Sequence, residues 1–173
     1  MKFLLLLVTA ASAVAAWPFH YRSNCLTDDK ASAIIDTFTQ ALRTPKDSFD
    51  TYVSLVQSIA NPDYSEHSDS VNFFSGAPIG SVTVSSFDDL VTSHRAQGGP
   101  AYFQIDTLNI WHSCDVITWR YRAIQTEGTK PVTSIMALTL GKNGKIDAIF
   151  FEFNNAISAE NFGYTITPPA VSG

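Results

Sequence analysis

Residues 131–153 read PVTSIMALTLGKNGKIDAIFFEF. Two runs rich in β-branched and aromatic residues, 131–140 and 145–153, flank GKNGK, whose Asn143-Gly144 pair signals a tight hairpin. Antiparallel neighbours are therefore expected. Toward the N-terminus, residues 115–125 and 101–112 have the same character, and QTEGTKP separates 115–125 from 131–140. Four long strands thus close the chain. Ahead of them the apolar period lengthens to that of helices. Thr27 can cap a first helix with Asp28 and Asp29 at its positive end. Ile34, Ile35, Phe38 and Leu42 then recur on one face until Pro45. Phe49, Tyr52, Val53, Val56 and Ile59 repeat that spacing in a second helix, which Asn61-Pro62 stops near Ala60. Ser85 or Ser86 opens a third, with Phe87, Leu90 and Val91 facing inward and Gly98-Gly99 at its end. Between the second and third helices, residues 62–82 read as a short strand or irregular segment, a second short strand over VNFF, and a loop. The order predicts an α+β fold. Three N-terminal helices pack on a curved antiparallel sheet, leaving a concave space for a ligand.

The first residues supply a different signal. Lys2 precedes the apolar run Phe3–Val8 and the small residues TAASAVAA, the pattern of a secretory leader. Cleavage is expected after Ala16, with Ala15 as the second choice. Residues 17–24 then form an extended lead-in, 25–157 the domain and 158–173 a C-terminal tail. The chain is 45% hydrophobic, with 12 Phe, 6 Tyr and 3 Trp, enough to build a core rather than remain disordered. A net charge of −5 with scattered Lys and Arg excludes a surface that tracks a nucleic-acid backbone. No stretch after the leader is long and apolar enough to span a membrane. Cys25 and Cys114 make an even pair, and in the oxidising compartment a leader implies they should join as a disulfide. Without a Cys-x-x-Cys or a histidine pair at helical spacing, no metal is expected. GAPIG and GKNGK are turns rather than phosphate loops, so no cofactor is expected either.

Two stretches carry residues with chemistry. In HSCDVITWRYRAI, 112–124, alternation puts Val116, Thr118, Arg120 and Arg122 on one face and Ile117, Trp119 and Tyr121 on the other. In the last strand it groups Ile146, Ala148, Phe150 and Glu152 against Ile149, Phe151 and Phe153. Both faces are mostly apolar, so Glu152 is expected to be partly enclosed, and an enclosed carboxylate must be paired or protonated. Arg120 is the natural partner and Arg122 the alternative, in a cavity or as a plain structural ion pair at the rim. The segment DYSEHSDS, 63–70, gathers Tyr64, Glu66, His67, Asp69 and Ser70. A histidine beside a carboxylate makes a general base, and a tyrosine hydroxyl can polarise a carbonyl. The plain alternative is a polar loop. The candidate catalytic residues are Tyr64, His67, Asp69 and Glu152; the candidate ligand contacts are Arg120, Trp119, Tyr121, Phe150 and Asn154.

Four segments also carry a resemblance: NCLTDDKASAIIDTF (24–38), ANPDYSEHSDSVNFF (60–74), HSCDVITWRYRA (112–123) and GKIDAIFFEFNNA (144–156). Together they resemble small secreted fungal proteins of the NTF2-like (SnoaL-like) α+β cone superfamily, over roughly residues 25–157. The resemblance implies the cone fold, the secreted disulfide and a homodimer formed through the sheet. The superfamily includes dehydratases, isomerases, polyketide cyclases and binding modules, so fold alone does not select an activity. Three functions are therefore expected. The first is binding of a small apolar molecule in the cone. The second is cofactor-free dehydratase, isomerase or cyclase chemistry on a polyketide-like compound. The third is interaction with a host or partner protein through the outer sheet face.

Overall fold

The computed structural model describes residues 25–97 and 100–167. The leader with its cleavage after Ala16, the lead-in over 17–24 and the Gly98-Gly99 stop lie outside the described residues.

Helix α1 (Asp28–Leu42) begins where its cap requires: the Thr27 hydroxyl accepts the Lys30 N–H at 3.3 Å. It buries Ile35, Phe38 and Leu42. A 3-10 turn over Lys46–Ser48 leads into α2 (Phe49–Ile59), which buries Tyr52 and Val56. The chain then enters strand β1 (Ala60–His67) directly. Pro62 is tolerated there because β1 is an edge strand, where a missing N–H breaks no ladder.

The VNFF segment, expected as a strand, is helical. It lies in α3 (Asp69–Ser75), which the Ser68 side chain caps at Val71 N–H and Gly76 ends at φ +73°. Two turns are too short for a helical apolar period to emerge from sequence, whereas the cap residues at both ends were present. Helix α4 (Phe87–Gln97) is capped by Ser86 Oγ at Asp89 N–H, 3.1 Å, and buries Phe87 and Leu90, while Val91 is half-buried.

The four closing strands are β2 (Gln104–His112), β3 (Val116–Ile124), β4 (Val132–Leu140) and β5 (Ile146–Phe153). The GKNGK turn joins the last two as expected. Gly144 sits at φ +77°, a conformation that favours glycine, and Gly141 N–H reaches the Lys145 carbonyl at 2.8 Å. Helix α5 (Asn155–Asn161), capped by the Asn154 side chain at Ile157 N–H, runs across the expected domain end at 157.

The sheet order is β1-β5-β4-β3-β2. Neighbours among β2 to β5 are antiparallel, but β1 runs parallel to β5. The sheet is therefore mixed rather than antiparallel, and among the described residues five α-helices accompany it rather than three. The long connection from β1 through α3, α4 and three strands is what lets β1 return alongside β5 in the same direction. Register breaks at Thr107/Asn109 and Thr139/Leu140 bend the sheet. The second break corrects the β5 alternation: Asp147 bulges out and Ile146 turns inward with Ile149, leaving Ala148, Phe150 and Glu152 on the outer face. The core lies between the helices and the inner face, around Ile35, Phe38, Val56, Leu90, Trp119, Leu138 and Ile149.

Cys25 and Cys114 form the expected disulfide, which ties the entry of α1 to the β2–β3 turn. Leu26 N–H also bonds the Cys114 carbonyl at 3.3 Å, and His112 Nε2 meets Asp28 at 2.6 Å. No helix among the described residues is long and apolar enough to cross a membrane.

Candidate functional site

Strand alternation divides the candidate residues between the two faces of the sheet. On β1, Tyr64 and Glu66 are buried inward while Ser65 and His67 are half-exposed outward. On β3, Ile117, Trp119 and Tyr121 are buried and Arg120 is exposed. Tyr64 therefore cannot share a site with His67 and Asp69, although sequence proximity had grouped them.

On the outer face, His67, Asp69, Phe150 and Glu152 line one cleft of about 360 Å³. Its floor is the outward face of β4 and β5: Ile135, Ala137 and Phe150, with Ile135 49% and Phe150 47% exposed. His67 and Phe150 are register partners, and their rings stack at 4.7 Å and 13°. The far wall is the loop after α3, represented by Gly80 and Ser81. Three contacts fix that wall: Gly80 N–H donates to Asp69 Oδ1 at 2.7 Å, Asn72 Nδ2 donates to the Ser81 carbonyl at 2.8 Å, and Thr83 Oγ1 bonds Asn72 Oδ1 at 3.2 Å. Asn72 is itself 1% exposed, so its two contacts are partly shielded from water, whereas the Gly80–Asp69 contact is exposed.

Glu152 is exposed rather than enclosed, and its partner is not Arg120. Its two carboxylate oxygens accept the Asp69 and Ser70 N–H groups, each at 2.8 Å, and the Ser70 hydroxyl. Glu152 thus satisfies the open N–H groups at the start of α3. The register explains why the expected pair does not form. Arg120 faces Ile135, and Ile135 faces Glu152, so the two charges lie two strand spacings apart, about 9–10 Å. Arg120 Nη1 instead reaches Asn109 Oδ1 on β2 at 3.4 Å. Asn154 caps α5, which accounts for its side chain.

The inner face holds two of the residues that sequence reading placed around a ligand, Trp119 and Tyr121, but here they are core. Trp119 is fully buried, stacks on Tyr121 at 4.0 Å, meets Phe38 edge-on at 6.3 Å and donates Nε1–H to Thr107 Oγ1 at 3.1 Å. Tyr64, Tyr121, Met136 and Leu138 are buried around it, so side chains fill this part of the cone. Within that packing, the Tyr64 hydroxyl donates to Glu66 Oε1. Burial, reinforced by the Asp89 charge, pushes the Glu66 carboxyl up to about 8. It therefore keeps its proton at neutral pH. Burial first and the nearby Glu66 second also raise the phenols of Tyr52 and Tyr102.

Sequence reading gathered Glu66 into the DYSEHSDS cluster but did not select it. Two-residue alternation from Tyr64 would have placed it inside. Ile135, Ala137 and Ser81 were also missed. Ile135 and Ala137 alternate outward on β4 and were visible as such only once a cleft was known to lie there.

The family model of the NTF2-like domain matches residues 24–165. None of the curated proteins matches the chain. Solved structures of similar shape include a candidate SnoaL-like polyketide cyclase from Jannaschia, 10% identical, covering 80% of this chain and 94% of that one with a TM-score of 0.57. A candidate isomerase of the SnoaL-like family from Agrobacterium tumefaciens is 12% identical over 73% of this chain and 98% of its own, with a TM-score of 0.56. IdmH, a candidate polyketide cyclase from Streptomyces antibioticus, is 15% identical over 78% and 99%, with a TM-score of 0.54. At these identities the likeness is one of fold.

Proposed function

The chain belongs to the NTF2-like family, and from that premise we propose that it is a secreted protein that binds a small, mostly apolar molecule in the cleft on the outer face of its sheet. The observation that carries this reading is convergence: His67, Asp69, Phe150 and Glu152 meet at one open cleft with an apolar floor. Its volume of about 360 Å³ falls at the small end of the range for ligand pockets. The apolar floor supplies the driving force, and the fixed polar rim supplies orientation. The leader read in residues 1–16 supports secretion, and the Cys25–Cys114 bond suits an oxidising compartment.

The neutral aromatic N-phenyl-1-naphthylamine tests the reading by its fluorescence. Wild-type protein should bind it saturably. Ile135→Glu, a substitution at a half-exposed floor position that leaves the core intact, should weaken binding by about tenfold or more, because the ligand would then cover a charged carboxylate where the floor had been apolar. Equal binding by both proteins would remove the cleft from the account.

A second reading is proton-transfer chemistry inside the cone, favoured by the protonated Glu66 beside Tyr64. It ranks second because Tyr64 and Glu66 are buried and neither lines the cleft where the other candidate residues meet.

A further inference from the structure

We infer that the molecule the outer cleft accepts is an organic cation, a flat apolar body carrying a protonated amine. The inference rests on the cleft reading above and goes on to name the ligand's chemistry.

Three observations support it. First, the carboxylates lining the cleft, Asp69 and Glu152, stand at its rim, and among the described residues neither lysine nor arginine lines it. The arginine closest along the register, Arg120, is engaged with Asn109 on β2. A carboxylate ligand would meet two like charges with His67 as the one basic side chain among the described lining residues, while an ammonium would meet two opposite charges.

Second, both carboxylates are held in place. The first turn of α3 fixes Glu152, and Gly80 N–H fixes Asp69. A carboxylate oxygen has two lone-pair sites; Ser70 takes both on Glu152 Oε2, so Glu152 Oε1 and the Asp69 oxygens remain to accept a ligand N–H, with little side-chain freedom given up on binding.

Third, the floor beneath them is apolar and ends in the stacked His67–Phe150 pair. An aromatic face suits both a flat apolar body and a cation above it. The chain's net charge of −5 adds attraction for a cation at long range.

The test compares three ligands of one shape by isothermal titration of the intact, disulfide-bonded protein at neutral pH. 2-Phenylethylamine is cationic, 2-phenylethanol is neutral and 3-phenylpropanoate is anionic. The amine should bind about tenfold or more tightly than the alcohol at low salt, and the acid should bind least. High salt should narrow the gap. Asp69→Asn, which keeps an oxygen for Gly80 N–H while removing the charge, should weaken the amine about three- to tenfold and the alcohol by less. If the alcohol binds as well as the amine or better and Ile135→Glu weakens the alcohol, the cation inference fails and the cleft reading stands. If neither binds, or the alcohol binds Ile135→Glu as well as wild type, both fail.

Discussion

Compared with Glu66→Gln, the wild-type protein should lose about 3–4 kcal/mol of folding stability as pH rises from 5 to 8. The sign follows from the direction of the shift. The Glu66 carboxyl has an ordinary value of 4.5 in the unfolded chain and is pushed up to about 8 in the fold, first by burial and then by Asp89. Between those two values the folded protein holds a proton that the unfolded chain has lost. Stability therefore falls with rising pH through this window, at about 1.4 kcal/mol per unit where the difference is complete. Glutamine preserves an acceptor for the Tyr64 hydroxyl without carrying a charge.

The comparison with the variant matters because a second group works in the opposite direction. Burial lowers His94 to about 4, so it favours the fold increasingly as pH rises from about 4 to its ordinary 6.5. His94 is common to both proteins and cancels. The other groups whose values respond to Glu66 are the phenols of Tyr52, Tyr102 and Tyr121, all raised by burial and outside this pH range. Urea unfolding of both proteins across pH 5–8 measures the difference. Parallel pH profiles would mean that Glu66 ionises freely in the fold, and the packed inner face would then be wrong.

Removing the Cys25–Cys114 bond should cost about 4–5 kcal/mol. It closes a loop of 89 residues, and in the chain-entropy view its main effect is to restrict the unfolded chain. For a domain of this size the loss lowers Tm by about 10–15 °C. The double substitution Cys25→Ser with Cys114→Ser, compared by calorimetry with the oxidised wild type, measures it. Two neighbouring contacts, Leu26 N–H to the Cys114 carbonyl and His112 to Asp28, cross the same junction. They keep the α1 entry near the β2–β3 turn in the reduced protein, so the fold should survive at a lower Tm. A change below about 1 kcal/mol would mean that these contacts, rather than the bond, set the junction's stability.

The closing strands were legible because several local signals agreed. Alternation, β-branched content and the Asn143-Gly144 turn all pointed to the same hairpin. Helices α1, α2 and α4 were legible from apolar period and caps. The segment between α2 and α4 was not. Pro62 and the polar run around Asp63 masked an edge strand, and α3 is too short for periodicity to announce it. The parallel partnership of β1 with β5 is set by long-range packing and leaves no mark in local sequence.

The site followed the same division. His67, Asp69 and Glu152 stood out by chemistry, and they do meet. Their partners did not stand out, because register decides partners. The sequence pattern made Arg120 seem a neighbour of Glu152, whereas strand β4, with Ile135, intervenes and sets them two strand spacings apart. Leaving the segment around Tyr64 open between a short strand and an irregular stretch also hid Glu66, since alternation can be applied only to a segment recognised as a strand.

The central claim is that the working surface is the outer cleft rather than the cone's interior. Amide NMR of the ¹⁵N-labelled, disulfide-bonded protein during titration with N-phenyl-1-naphthylamine tests it most directly. The account predicts saturable shifts concentrated at His67, Asp69, Gly80, Ser81, Ile135 and Phe150. Shifts concentrated instead at Tyr64, Glu66, Trp119 and Tyr121, or no saturable shift at all, would contradict it.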